Sequence, residues 1–481
     1  MSASEYRKPV IETDFSSIPT WLYLLVVIIL YSFGAYSVVH FIFAPENADI
    51  LESLSEVFHV VIPVSMPFLP LLIAFTAIFL FITIIMAYII VWIMSKLAQE
   101  VTIAVCILFP LFMIAVGVLI YIANPEAVFI ALIIAGLGVL IFLFVIWKFT
   151  LIKRSGQFVE FSAQLVLDEK AVIAMPILLG IFSIITGFFM LFGFFEILSL
   201  FTVDNAAGDP ELSLPGYVFA TLFEYIYLIV YLGVYYSLSA GVISYASDWY
   251  RGLDPDLGSA IKDVRQVFPI ILKFAFAMAT VKIIMQIATS AGRSQSSRAT
   301  DRQYGGGAVI AAFIGAAVAG LFISILGAIW MFMNYFTLIS IVQNKRGLKD
   351  SIKDSAKTTW NSLLDVLVGE SGFGLTTFIF AIINSLLWIV VGFGLGFAVS
   401  QDLGFGIIFA FIFLILGSLP YNVVTMPMKV AFRSFLYSYA KDTIEGYKKP
   451  SRLPTELRTE FSTLASRPRK RRGMRDPSQY F

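Results

Sequence analysis

The chain has 481 residues, 59% of them hydrophobic and 14% charged, with a mean hydropathy of +0.88. A soluble protein carries roughly a quarter charged residues, so a water-soluble globular fold is excluded. The net charge of +1 says little because the charges are sorted by position, and a single cysteine, Cys106, excludes an internal disulfide.

Residues 1–20 are polar and carry both signs, as expected of a cytoplasmic N-terminus. The apolar run that follows is long and has no small-residue cleavage site, so a removable signal peptide is not expected. A membrane-crossing helix needs about 20 apolar residues. Ten segments qualify: 21–43, 67–94, 101–123, 127–147, 171–201, 217–247, 267–290, 308–341, 374–399 and 405–428. Residues 21–201 form a five-span first half, 217–399 a four-span region, 405–439 a kinked tenth span and 440–481 a basic cytoplasmic tail. Periodicity leaves open whether 308–341 is one helix or two. With the N-terminus inside and the spans alternating, all but five of the 33 Lys and Arg residues fall on the cytoplasmic side or in the tail. The exceptions are Lys273 and Lys282 inside a span and Arg293, Arg298 and Arg302 in an outer loop. Retention of cations inside therefore places a multi-pass protein in the cell membrane with both termini cytoplasmic.

Two loops in the four-span region nearly match. Arg251-Gly252-Leu253 precedes Ile261-Lys262-Asp263, and Arg346-Gly347-Leu348 precedes Ile352-Lys353-Asp354. Each loop joins two apolar runs, which predicts a duplicated unit of helix, amphipathic connector and helix over 217–290 and 308–399. The two units share an orientation, as parallel repeats do. In the first connector, Asp254 is expected to cap and Pro255 to start the helix. Leu257, Ile261, Val264 and Phe268 then share one face; in the second, Leu348, Ile352 and Ala356 do the same. The fold class predicted is an all-α integral membrane protein of about ten transmembrane helices.

The passage Tyr250-Arg251-Gly252-Leu253-Asp254-Pro255, together with Asn344-Lys345-Arg346-Gly347-Leu348, Ser355 and Lys357-Thr358-Thr359-Trp360, resembles a family of prokaryotic multi-pass membrane proteins classed as a domain of unknown function. The resemblance covers 217–399. It implies a fold and a location but no activity.

Signatures of catalysis, metal binding and cofactor binding are absent, so no enzyme and no cofactor are expected. His40 and His59 have no ligand partner at local spacing. The alternating Gly392, Gly394 and Gly396 lie inside an apolar run and suit close helix approach. Charge inside a span is costly. Glu196, Glu224 and Lys282 fall at similar depth in the outer leaflet, which allows a Glu224–Lys282 pair with Glu196 nearby. They form a polar vestibule on one reading and structural or outward-reaching charges on the other. Tyr227, Tyr231 and Tyr235 continue the Glu224 face at four-residue spacing, either as packing or as a cation site. Ser418, Pro420, Asn422 and Pro427 mark a helix break or kink in the tenth span. In the tail, Arg469, Lys470, Arg471 and Arg472 suit anionic lipid headgroups at the cytoplasmic face, in preference to nucleic acid. The expected function is transport of an unspecified solute by a permease-like protein. The alternative is a non-catalytic scaffold or assembly subunit with the lipid bilayer, a membrane-protein partner or a second copy as its partners.

Overall fold

A computed structural model describes residues 18–43, 68–204, 210–301, 322–323, 325–444 and 451–452. Helices α1 (Ile18–Phe43), α2 (Phe68–Ala123), α3 (Val128–Trp147), α4 (Phe149–Asp168), α5 (Ala174–Phe201), α6 (Leu214–Tyr250) and α7 (Leu257–Asp301) build the first part. The second part has α8 (325–333), α9 (Thr337–Asn344), α10 (Leu348–Asn361), α11 (Leu363–Ser400) and α12 (Leu403–Ile444). The one small sheet among the described residues pairs β1 (Thr202–Asp204) antiparallel with β2 (Pro210–Leu212) in the turn between α5 and α6. The all-α polytopic membrane architecture holds: nine helices among the described residues are long and apolar enough to cross a membrane.

The count differs from ten because α2 is continuous. Hydropathy separates residues 67–94 from 101–123 at the polar stretch from Ser95 to Glu100. That stretch contains Lys96, Leu97, Ala98, Gln99 and Glu100, all good helix formers, and neither glycine nor proline. Its inner face is covered by α4: Met94 and Ala98 are fully buried, and a Cβ on Gly156 would lie 2.6 Å from the Gln99 Cα. The Gln99 N–H donates to Glu160 Oε1 at 3.1 Å, so the crossing is also pinned by a polar contact.

The expectations for the two connectors also change. The first connector and the seventh span are one helix, α7, which stays helical through Pro269. Its start is capped by Asp256, whose Oδ2 accepts the Ser259 N–H at 3.0 Å, and not by Asp254. The buried face of α7 carries Ala260, Asp263, Val267, Ile270, Ile271 and Phe274, in place of the stripe through Leu257 and Ile261, because Asp263 is drawn inward by partners described below. The buried face of α10 is small and polar, with Ser351, Ser355, Thr358 and Thr359, in place of Leu348, Ile352 and Ala356. The run 308–341 is interrupted within its described part. A turn at 334–336 separates α8 from α9, and the Phe336 N–H donates to Ser355 Oγ at 2.9 Å.

The largest core lies at the end of the bundle that carries the α6–α7 turn, here called the connector end. It joins Met94, Val159, Ala246, Ile271 and Phe432 from five helices with Phe336 from the turn before α9. Aromatic edges interlock there, with Phe161 and Trp249 centroids at 4.6 Å. At the far end of α11, Gly392 and Gly396 let α12 approach: a Cβ at these positions would lie 2.6 Å from Phe409 O and 2.8 Å from Phe405 O. Gly394 faces open space. The glycines serve helix packing, as the small residues of membrane helices do.

Gly156→Leu should therefore lower the melting temperature in detergent, at a cost of about 1–3 kcal/mol for overpacking, whereas Gly394→Leu should leave it unchanged. A thiol-reactive dye that reads exposure of the buried Cys106 measures both.

Candidate functional site

The expected vestibule residues do not converge. Glu196 is buried and lies with its Oε2 2.9 Å from His40 Nδ1. The partner comes from α1, a helix remote in sequence, and local spacing gave no sign of it. Glu224 accepts hydrogen bonds from Gln286 Nε2 on both carboxylate oxygens, at 2.9 and 3.1 Å. Lys282, one turn before Gln286, is exposed and forms no ion pair among the described residues. Tyr227, Tyr231 and Tyr235 do form a ladder, with centroids 6.1 and 6.3 Å apart and ring planes 15° from parallel. The expected break in the tenth span does not form: α12 stays helical from Ser418 through Pro427. Neighbours support the backbone beside the proline. Asn384 Nδ2 donates to Gly417 O at 3.2 Å, and Ser418 Oγ donates to Ile415 O at 2.7 Å. Asn422 is exposed and Pro427 buried. The cluster Arg469, Lys470, Arg471 and Arg472 lies outside the described residues.

The charged residues that do converge lie at the connector end. Three acid–base pairs close a ring through three parts of the chain. Lys345, after α9, donates to Asp263 of α7 at 3.0 Å. Lys441 of α12 donates to Asp354 of α10. Arg251, after α6, donates to Asp442 of α12 at 2.6 Å. Going from α6–α7 to α9–α10 to α12 and back, each part gives a cation to one neighbour and a carboxylate to the other, and Arg346 adds a longer contact to Asp354 at 3.7 Å within its own part. All three carboxylates have side chains less than a tenth exposed.

The local chain explains each placement. Lys345 adopts the left-handed conformation, φ 49°, which ends α9 and turns its side chain inward. In the other turn Gly252 takes that conformation, φ 78°. The helix before each turn supplies a serine to the carboxylate after it: Ser244 Oγ donates to Asp263 Oδ2 at 2.7 Å, and Ser340 Oγ donates to Asp354 Oδ2 at 2.9 Å. Asp354 also accepts from Tyr437 at 2.5 Å, and Tyr250 donates to Asp442 at 3.2 Å. Asp263 and Asp354 thus accept on both oxygens, as a buried charge needs, whereas Asp442 takes both of its contacts on Oδ2 and its Oδ1 is buried without a partner among the described residues.

A second group lies two turns along α12. Glu370 of α11 accepts Arg433 Nε at 2.6 Å and Nη2 at 3.1 Å, the bidentate geometry that suits guanidinium and carboxylate. Tyr335 donates to the same Glu370 oxygen as Nε, at 2.6 Å, and the guanidinium lies 5.0 Å from its ring centroid. A small cavity beside the group is lined by Arg154, Ser155, Asp365, Gly369 and Tyr439, among others. Among the described residues no His, Cys, Asp and Glu cluster has a metal-binding arrangement.

Sequence reasoning missed Asp263, Asp354, Glu370, Arg433 and Asp442 as a group because each sits outside the apolar runs, where an exposed charge is ordinary. One signal was available: Ser438-Tyr439-Ala440-Lys441-Asp442 repeats the Ser-Tyr-Ala-x-Asp spacing of Ser244 to Asp248. No protein-family model matches the chain, and no curated protein matches it.

Two outcomes follow. Asp263→Asn or Lys345→Gln alone should destabilise the protein by about 3–5 kcal/mol, since each leaves one charge buried without its partner. The double variant should recover part of that loss in a thermal-stability cycle. Burial alone would raise the Asp354 pKa; hydrogen bonds from Lys441 and Tyr437, with the Lys441 charge, outweigh it and hold the carboxyl below its ordinary value. The folded state gains from this above the unfolded pKa of about 3.9, and loses the gain as pH falls through the lower folded value. Melting curves from neutral pH into the acid range should show an acid-induced loss that is smaller in Asp354→Asn.

Proposed function

We propose that this polytopic membrane protein is a permease-like carrier whose connector end is shut by the ring of ion pairs. The observation that carries this reading is the closed cycle Asp263–Lys345, Asp354–Lys441, Asp442–Arg251. Buried ion pairs add little net stability compared with apolar packing, but breaking one is costly. A cycle of them joining three separately moving segments makes a two-state latch: all closed, or released together. The Glu370–Arg433–Tyr335 group would then be the polar surface met by a solute beyond the latch, since ionisable residues inside a membrane bundle commonly mark solute paths.

The duplicated unit belongs to the same proposal. The paired bonds Ser244–Asp263 and Ser340–Asp354 support it; the different left-handed residues, Gly252 and Lys345, show that the two turns are not identical. Parallel repeats that share one ring would move against each other about an axis near the membrane normal.

The test is flux through reconstituted vesicles, read as solute-driven currents on a solid-supported membrane across a panel of organic anions, organic cations and protons. Asp442→Asn should raise the current, about tenfold for each 1.4 kcal/mol by which the latch is weakened, and Glu370→Gln should abolish its solute dependence. If no solute or proton moves, and both substitutions change only the melting temperature, the ring is structural and the carrier reading fails.

A further inference from the structure

We propose that Lys429 and Arg433 form a binding site for the anionic headgroup of a membrane amphiphile, a phosphate or carboxylate carried on an acyl chain. The two cations are four residues apart on α12, so they share one face, one turn apart. Arg433 commits Nε and Nη2 to Glu370. Its Nη1 and the Lys429 Nζ have no hydrogen-bond partner among the described residues. The group holds two cations against one carboxylate, a surplus of one positive charge.

A lysine near the end of an apolar run ordinarily reaches for headgroups by itself. What distinguishes this one is the guanidinium beside it. Arg433 is fixed by the bidentate contact with Glu370 and by the Tyr335 ring at 5.0 Å, so its remaining edge is aimed before any ligand arrives. A preset guanidinium edge and a flexible ammonium are the two donors that suit a tetrahedral phosphate or a planar carboxylate. The side chains are reachable: Lys429 is exposed, and the Arg433 side chain is 33% exposed.

The apolar part of the ligand has a surface too. Tyr235 on α6 lies within electrostatic reach of Arg433, and the ladder continues from it through Tyr231 to Tyr227. All three rings are part-exposed. Stacked tyrosines offer an acyl chain a flat apolar wall, with hydroxyls at one edge. The inference does not depend on transport: a carrier or a scaffold could each hold a lipid here.

The experiment is native mass spectrometry of the full chain released from phosphatidylcholine nanodiscs with and without phosphatidylglycerol. The wild type should retain phosphatidylglycerol selectively. Lys429→Gln should cut that retention about tenfold, the loss expected for one charge-assisted hydrogen bond. The melting temperature in phosphatidylcholine should not change, and Lys429→Arg should keep the retention. Lys262→Gln, at an exposed lysine on α7, should have a much smaller effect. Competition by oleate identifies a carboxylate amphiphile as an equal source of the headgroup. Equal losses in Lys429→Gln and Lys262→Gln would reduce the site to diffuse surface attraction and overturn the proposal. So would competition by inorganic phosphate without any lipid selectivity.

Discussion

Charge inside an apolar bundle must be matched, and in this protein the matching organises one whole end of the molecule. Asp263, Asp354 and Asp442 are each held by a cation from a different segment, so no segment can leave without breaking two ion pairs. The consequences spread into local structure. Lys345 occupies a left-handed conformation that a lysine rarely adopts, because only there can its chain both end α9 and reach Asp263. The face of α7 rotates so that Asp263 points inward, and α10 buries serines and threonines where an amphipathic helix on a membrane surface would bury leucines.

Aromatic rings sit against the same cations. Arg251 lies 4.8 Å from the Tyr250 ring centroid, Lys441 5.4 Å from Tyr437 and Arg433 5.0 Å from Tyr335. A cation over a ring face gains attraction that strengthens as water is excluded, and the rings bring apolar area to the surrounding core. Tyr250 and Tyr437 do both tasks at once, packing in the core and donating to Asp442 and Asp354. The ring of charges and the largest apolar core therefore occupy the same place. This is the economical arrangement, since the packing that excludes water also strengthens the pairs.

The opposite end of the bundle is built differently. There α1, α5 and α6 meet through Leu30, Ile197, Ala220, Phe223 and Val230. Its polar residues are handled one at a time: Glu196 by His40, Glu224 by Gln286 and Tyr31 by Thr186. The polar contacts thus form a cycle at one end and stand singly at the other. The Tyr227–Tyr231–Tyr235 ladder spans the distance between them along α6.

The amino-acid sequence by itself determined the class of molecule and most of its helices. Runs such as 127–147 and 171–201 are apolar for longer than a bilayer is thick, and no tertiary context is needed to make them helical. It also determined the close approach at Gly392 and Gly396, because small residues at that spacing have one physical use in such a run. Tertiary structure alone decided the rest. Whether Ser95 to Glu100 is a loop or helix depends on α4 covering Met94 and Ala98, a contact between residues some sixty positions apart. Whether Asp256 or Asp254 caps α7 depends on where the Arg251 turn delivers the chain. The partners of Asp263, Asp354 and Asp442 lie 82, 87 and 191 residues away. Helical periodicity reports a neighbour three or four residues off and carries no information at that range, which is why the charged ring was invisible until the helices were assembled.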